Sequence, residues 1–453
     1  MRCNVATMVA GILLGTIALC AQPKPVTGPW RGAGVPPCAG SDGGIVPCPS
    51  APRVIAIRAG RLFNSKSGQM LSKQVVIASG DRITEVGAEG QVKIPAGAEV
   101  IDLRSATVLP GLIDAHTHMF NARKPNGATE DYMLIAVQNA QLDLRAGITA
   151  ARDMTSHGNG YGDVAIRDAI NEGRFDGPRY QVSTLGLVWD AKPKDPNAKE
   201  NPLAGTVVRN AEEARAAVRE QIAHGADWIK LYPTGAYSFS PTGKDEYQLT
   251  YPLPVLQAAI DETHRLGKKA GCHNFGGEGL RNAITAGCDT IEHGFGLDQE
   301  QINMIVAKGL YYEPTLQRYI EPYMDDNDEK STGGKYRMIP IFEKAVKMAA
   351  TTKNIKMMVG SGVDGSTFAH GTQALEFEML VKRGGMTPVQ AIQAGTITNA
   401  EALGWEKQIG SIEKGKFADI IAFTGDPLAD ITELARVKFV MKGGKVIRNE
   451  LGR

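Results

Sequence analysis

The sequence predicts an α/β protein: a (β/α)8 TIM barrel with a small flanking β-sandwich built from both chain ends. Three observations carry this. Between about residues 111 and 404, short apolar runs alternate with helical segments such as AEEARAAVREQIAHG and PVLQAAIDETHRLG, the pattern of a parallel sheet covered by helices. Eight such runs are found, the number a closed barrel needs. Residues 53–107 and the stretches GKFADIIAFTGD and VKFVMKGGKVIRN near the C-terminus share a different texture, period-two alternation broken by glycine, which reads as short antiparallel-type strands.

The eight barrel strands are GLIDAHTH (111–118), ITAARDM (148–154), YQVSTLG (180–186), DWIKLYP (227–233), KKAGCHN (268–274), DTIEHG (289–294), YYEPTL (311–316) and KMMVGSGVD (356–364). The resulting domains are a leader over 1–21, a Pro/Gly-rich disordered linker over 22–52, the sandwich from 53–110 and 405–453, and the barrel over 111–404. The polar stretch EPYMDDNDEKSTGGKY (321–336) after the seventh strand reads first as a solvated loop, with a lid or a subunit contact as the alternatives.

Bulk properties narrow the function. The chain has 453 residues, 43% of them hydrophobic, enough for one large core with an appendage. Fifty Lys and Arg against 49 Asp and Glu leave it near neutral, which argues against nucleic acid or a membrane surface as partner. The N-terminus, MRCNVATMVAGILLGTIALCAQ, has one arginine, an apolar stretch and then small residues. It reads as a secretory signal peptide and is too short for a membrane span. A secreted or periplasmic location follows. Lipid anchoring at Cys20 is the secondary reading, because Leu19 is larger than the residue usual before a lipidated cysteine. Cys38 and Cys48 can pair in an exported chain, while Cys272 and Cys288 read as small buried hydrophobes.

In barrels of this type, chemistry sits at the C-terminal ends of the strands. His116 and His118 end the first strand, two apart and so on one face. His273 ends the fifth, His293 the sixth and Asp364 the eighth. Four of eight histidines at strand ends point to metal ligation, where His-x-His alone is equally compatible with a polar surface strand. Asp114 shares the His116 face one step deeper and is expected to orient His116. Glu292 is expected to face away from its neighbour His293 and to anchor structure. In DWIKLYP, Trp228, Lys230 and Tyr232 face the barrel interior. A buried lysine is costly alone; it pairs with an internal carboxylate such as Asp364 or Glu292, or it takes up carbon dioxide to become a carbamate that bridges two cations.

Together, GLIDAHTH, IKLY, the histidine after KKAGC, IEHG, GSGVDG and the tail GMTPVQAIQAGTITNAEALG…IGSIEKGKFADIIAFTGDPL resemble the amidohydrolase superfamily over roughly 53–450. The lysine followed by PTGAYSFS is similar to the exported Xaa-Pro dipeptidase branch, which also contains ochratoxin-hydrolysing amidases. The resemblance implies two divalent metal ions, zinc by ligand type. It makes His116, His118 and Asp364 ligands of one, His273 and His293 ligands of the other, with carbamylated Lys230 as the bridge. It also implies that Asp364 carries the proton during amide hydrolysis, and that the protein is a homo-oligomer acting on a small molecule or dipeptide with a free carboxylate. That carboxylate needs donors, and Tyr232, His157, His370 and a backbone nest at Thr234-Gly235-Ala236 are the candidates. His224 and His264 sit in last helical turns and carry no chemistry. The competing readings are a lactone or phosphotriester hydrolase on the same site, a mononuclear imidazolonepropionase-like hydrolase, and a barrel that binds without catalysing.

Overall fold

The computed structural model describes residues 53–121, 127–190, 205–240, 242–325 and 334–451, together with three short strands nearer the N-terminus. The chain divides into two units, Met1–Ala51 and Pro52–Arg453. In the first, Lys24–Pro25, Pro37–Ala39 and Ile45–Pro47 pair antiparallel in that order. The expected leader and the Cys38–Cys48 pairing lie outside the described residues.

In the second unit, all eight expected barrel strands are present in order: Leu112–Thr117, Ile148–Asp153, Arg179–Val182, Trp228–Leu231, Lys269–Asn274, Thr290–His293, Tyr311–Glu313 and Lys356–Met357. Their ladders are parallel. Two seams close the ring. Asp227 N donates to Val182 O at 2.8 Å between the third and fourth strands. Between the eighth and first, Ala115 N donates to Val359 O at 2.9 Å and Gly362 N to His116 O at 2.7 Å. The eighth strand is regular only over two residues, yet its extension still pairs with the first and carries Asp364 to the mouth.

Alternation places the side chains as the strand pattern requires. Ile229 and Leu231 pack outward into the main core against the helices, so Lys230 points inward. Helices Ala211–Ala223 and Leu253–Arg265 cover the outside. Asn210 caps the first of these by accepting from Glu213 N at 2.9 Å. His224 stacks on Tyr161 and His264 meets Asp289 at 2.8 Å, both at helix ends and away from the mouth.

The two chain ends form one seven-stranded sheet, ordered Lys445–Asn449, Phe439–Lys442, Ile420–Phe423, Glu99–Pro110, Val54–Asn64, Gln69–Ser79 and Arg82–Ala88. Its far edge returns to the C-terminal segment, where Ile83 N donates to Lys416 O and Ala418 N to Asp81 O, each at 2.9 Å. Alternate residues such as Ile55, Ile57, Val76, Ile101, Ile420 and Phe439 fill the space so enclosed. This is the flanking sandwich.

Two expectations are corrected. Cys272 and Cys288 are not free packing residues but are joined in a disulfide, their Cα atoms 6.0 Å apart. The fifth strand and the turn leading into the sixth are neighbours in the parallel sheet, which brings residues 16 apart in sequence together. Thr234–Phe239 is not a backbone nest. It is a strand paired antiparallel with Asp245–Leu249, and Ala236 N is taken by Gln248 Oε1 at 3.2 Å.

Candidate metal centre

At the C-terminal mouth of the barrel, His116, His118, Lys230, His273, His293 and Asp364 line one cavity of about 140 Å³, together with His157, Tyr232, Arg318 and Tyr319. Five strand ends or their extensions thus deliver the six expected ligands to one place. The His116 ring lies 5.2 Å from His118 and 5.0 Å from His293, and the His273 ring 4.6 Å from His293.

Three of the four imidazoles are held through the far nitrogen. His116 Nδ1 lies 2.7 Å from Glu292 Oε2 and 2.9 Å from Glu313 Oε2. His293 Nδ1 lies 2.8 Å from Thr315 Oγ1, whose hydroxyl donates to Glu313 at 2.9 Å. His118 Nδ1 donates to Thr155 O at 3.3 Å. These contacts fix the rings and leave Nε2 as the free donor. Burial pushes the His116 pKa down to about 3, and burial also holds His118, His273 and His293 well below the ordinary imidazole value. Neutral imidazole is the form that binds metal.

Glu292 faces the barrel interior, against the expectation from simple alternation. The reason is local: His293 has φ of +68°, so the chain turns after Glu292 and both side chains serve the same site. Tyr312 Oη donates to His293 O at 3.0 Å and helps hold this turn. Thr315, at φ +60°, is a second left-handed residue on the next strand end. Non-glycine residues rarely adopt this region, and such strain collects at functional sites.

Below the histidines lies an ionic layer. Arg152 donates to Ala115 O at 2.6 Å, to Thr290 Oγ1 at 3.1 Å and to Glu292 Oε1 at 2.9 Å, and its guanidinium lies over Trp228. Burial would raise the Glu292 pKa, but Arg152 and His116 hold it well below the usual range. Glu313 goes the other way, pushed up by burial and by the Glu292 charge. Asp114 does not touch the His116 ring. It accepts from Ser361 N at 3.0 Å and Ser361 Oγ at 2.6 Å, and from His116 N at 3.2 Å, so it ties the first strand to the eighth.

Lys230 is 1% exposed, and its Nζ has no hydrogen-bond partner among the described residues. The expected ion pair with Asp364 or Glu292 is therefore not formed. Burial pulls its pKa down to about 8. Asp364 instead pairs with Arg318, Oδ2 to Nη2 at 3.2 Å, and accepts from Ser366 N and Thr367 N at 2.9 and 2.7 Å. Burial works to raise its pKa, but Arg318 and these amides leave it below the ordinary value.

Among the expected substrate contacts, Tyr232 and His157 are at the cavity and His370 is not. His157 stacks on His118 at 4.0 Å. His370 is buried behind the first strand, with Nδ1 at 2.9 Å from Asp143 Oδ1 and Nε2 at 3.1 Å from His118 O. It positions the His118 backbone. Arg318, Glu313 and Thr315 were not foreseen. Their signal is present in YYEPTLQR, where polar residues interrupt and follow the seventh apolar run.

Atoms of His116, His293 and Glu313 lie within 4.8 Å of one another, a grouping suited to a metal ion. Glu313 reaches the Nδ1 side of both rings, directly or through Thr315, so we read it as their support and the Nε2 side as the ligating face. The residues fit a metal centre: neutral imidazoles, an ionised carboxylate and an orphaned buried amine converge without satisfying one another.

Residues 107–447 match the Amidohydrolase family. The chain belongs to the amidohydrolase family. Within it, this amidohydrolase is 28% identical to the ochratoxinase of Aspergillus niger over 434 residues, 87% of each chain. A crystal structure of a Xaa-Pro dipeptidase with methionine bound in its active site superposes with a TM-score of 0.76 at 30% identity, covering 87% of this chain and 100% of that one. A prolidase complexed with N-methylphosphonate-L-proline gives a TM-score of 0.76 at 25% identity, covering 88% and 100%. These likenesses set the amidohydrolase in the branch of ochratoxinase and the Xaa-Pro dipeptidases, enzymes that hydrolyse amide bonds.

Proposed function

We propose that this amidohydrolase is an exported enzyme that cleaves the amide bond of dipeptides or N-acyl amino acids, with two zinc ions bridged by a carbamylated Lys230. The observation that carries this reading is the unpartnered Lys230 Nζ, buried in the ring of histidines and depressed to about 8, where a neutral amine is available to add carbon dioxide. His116, His118 and Asp364 would hold one ion, and His273 and His293 the other. When bound, such a pair supplies an acidified water and polarises the scissile carbonyl.

The chain's own residues do the rest. The Asp364 carboxylate, kept ionised by Arg318, accepts the proton of the attacking water and returns it to the departing amine nitrogen. Burial raises the Tyr232 pKa to about 12, so its hydroxyl stays a donor at neutral pH. Tyr232, His157 and the Arg318 guanidinium are then the groups that grip a free α-carboxylate. The ligand of that prolidase complex, N-methylphosphonate-L-proline, has such a carboxylate. Export is supported by the apolar leader and by the buried Cys272–Cys288 disulfide, which persists in oxidising compartments.

The test is metal content per chain and hydrolysis of Xaa-Pro and other dipeptides, for wild type and Lys230→Ala. About two metals per chain in an active wild type, with both metal and activity lost in the variant, is the expected outcome. One metal retained in an active variant would remove the bridging role. A wild type with neither metal nor hydrolysis would overturn the enzyme reading in favour of a binding protein.

A further inference from the structure

Of the four histidines at the mouth, His273 is the one whose ring is not steadied by a hydrogen bond among the described residues. It packs against other rings instead, with Phe275 at 4.5 Å, His293 at 4.6 Å and Tyr232 at 5.2 Å between centroids. Ring contacts restrict an imidazole less sharply than a hydrogen bond does, so the place of this ligand depends on its backbone.

The strand beneath gives little grip from inside the barrel. In KAGCHN, the residue one step deeper on the His273 face is Gly271. A Cβ there would run into the Met154 methyl and stand 3.0 Å from Glu292 Oε1, so the ionic layer leaves room for glycine alone. Glycine brings no side chain to pack and loosens a strand. The hold comes from the outer face, where Cys272, fully buried, is bonded to Cys288. Cys288 is itself anchored: its N–H donates to Ala283 O at 3.1 Å in helix Gly277–Ala286, and the next residue, Asp289, donates from N to Ala270 O at 2.9 Å. The bridge thus joins the strand that carries His273 to the segment entering the strand that carries His293. Nearer the mouth, Asn274 Nδ2 donates to Cys272 O at 2.7 Å, and Gly294 N donates to Asn274 O at 2.9 Å.

We propose that the Cys272–Cys288 disulfide is the positioning element that fixes His273 against His293, and that it secures the ion held by these two histidines and not the ion held by His116, His118 and Asp364. The inference rests on the two-ion reading above. A ligand must be held to about 0.5 Å for its site to keep full affinity. The bridge spans 16 residues and encloses the turn that follows His273. The other group of ligands has ties that do not pass through it: His116 rests on Glu292 and Glu313, and Asp114 joins the first strand to Ser361.

The test measures zinc per chain, and zinc affinity by competition with a chromophoric chelator, in the full chain. Wild type is compared with Cys272→Ala/Cys288→Ala and with Cys272→Val/Cys288→Ala, which restores buried volume without the bond. One of the two zinc ions is expected to weaken by about 10–100-fold in both double variants, while the other keeps its wild-type affinity. Recovery in the valine variant would assign the cysteines to packing. That recovery, two ions unchanged in both variants, or equal weakening of both ions would overturn the proposal while leaving the two-ion reading intact. A wild type with a single zinc that weakens when the bridge is removed supports the positioning role and counts against two ions. A wild type that binds no zinc overturns both.

Discussion

The barrel has a polar hollow at each end, and the larger one is the less interesting. At the N-terminal ends of the strands, Arg167, Asp227, Lys268 and Trp405 border a space of about 520 Å³. Its charges are spent on one another: Arg167 donates to Asp227 at 2.8 Å and to Gly225 O at 2.7 Å, and pairs with Asp168 at 2.9 Å. At the C-terminal mouth, about 140 Å³ holds an amine without a partner and four imidazoles whose buried environment keeps them neutral. Chemistry is marked by groups left unsatisfied where satisfaction was available, and size is a poor guide to it.

That contrast can be broken by substitution at either end. The largest effect after loss of Lys230 is expected from Asp364→Asn, which keeps the shape and removes the proton carrier. It should lower kcat by about 10²–10⁴-fold, measured with saturating dipeptide at confirmed metal loading. Wild-type kcat would take the proton role from Asp364.

Glu313→Ala removes the support under His116 and, through Thr315, under His293. Metal affinity in a chelator competition should fall about 10–100-fold. Unchanged affinity would reduce Glu313 to a packing role.

A smaller effect, dependent on pH, is expected at His370. Burial alone would lower its pKa, but Asp143 more than offsets this, and the value ends above the ordinary 6.5. A group raised on folding contributes stability that is full below its unfolded pKa and is lost as pH rises through the folded value. His370→Asn should therefore lower the melting temperature more at pH 6 than at pH 9. An equal loss at both would mean that the imidazole charge contributes nothing.

The smallest effect on activity is expected at the opposite hollow. Arg167→Ala should lower the melting temperature, because Asp227 loses its half-buried partner, while kcat/KM stays at wild type. A drop in kcat/KM at full metal loading would make the lower hollow part of the working site.

The barrel was legible because its signals are local and repeated. Eight apolar runs recur, five of them carry candidate ligands at or near their C-terminal ends, and alternation alone places His116 beside His118 and turns Lys230 inward. Legibility failed where one dihedral overrides the alternation. Glu292 was assigned the wrong side because nothing in DTIEHG announces the left-handed turn at His293. His370 was assigned to the mouth by its closeness to Asp364 in sequence, but its chain segment folds back against Asp143. Cys272 and Cys288 looked like packing because their meeting depends on neighbouring strands of the closed sheet. Arg318 and Glu313 were passed over because their roles depend on which strand ends stand opposite one another.

The sandwich holds a consequence for how the chain comes to exist. Strand Glu99–Pro110 is flanked on one side by Val54–Asn64 and on the other by Ile420–Phe423, with Leu109 opposite Ile421. The first partner is made early in synthesis and the second only after the whole barrel. Until then the apolar end of that strand, Thr107–Pro110, stands without its second partner, the kind of edge that recruits other chains. The last few dozen residues thus act as the seal on a fold begun at the other end, and a chain truncated before Ile420 is left sticky and unfinished, whatever the state of its barrel.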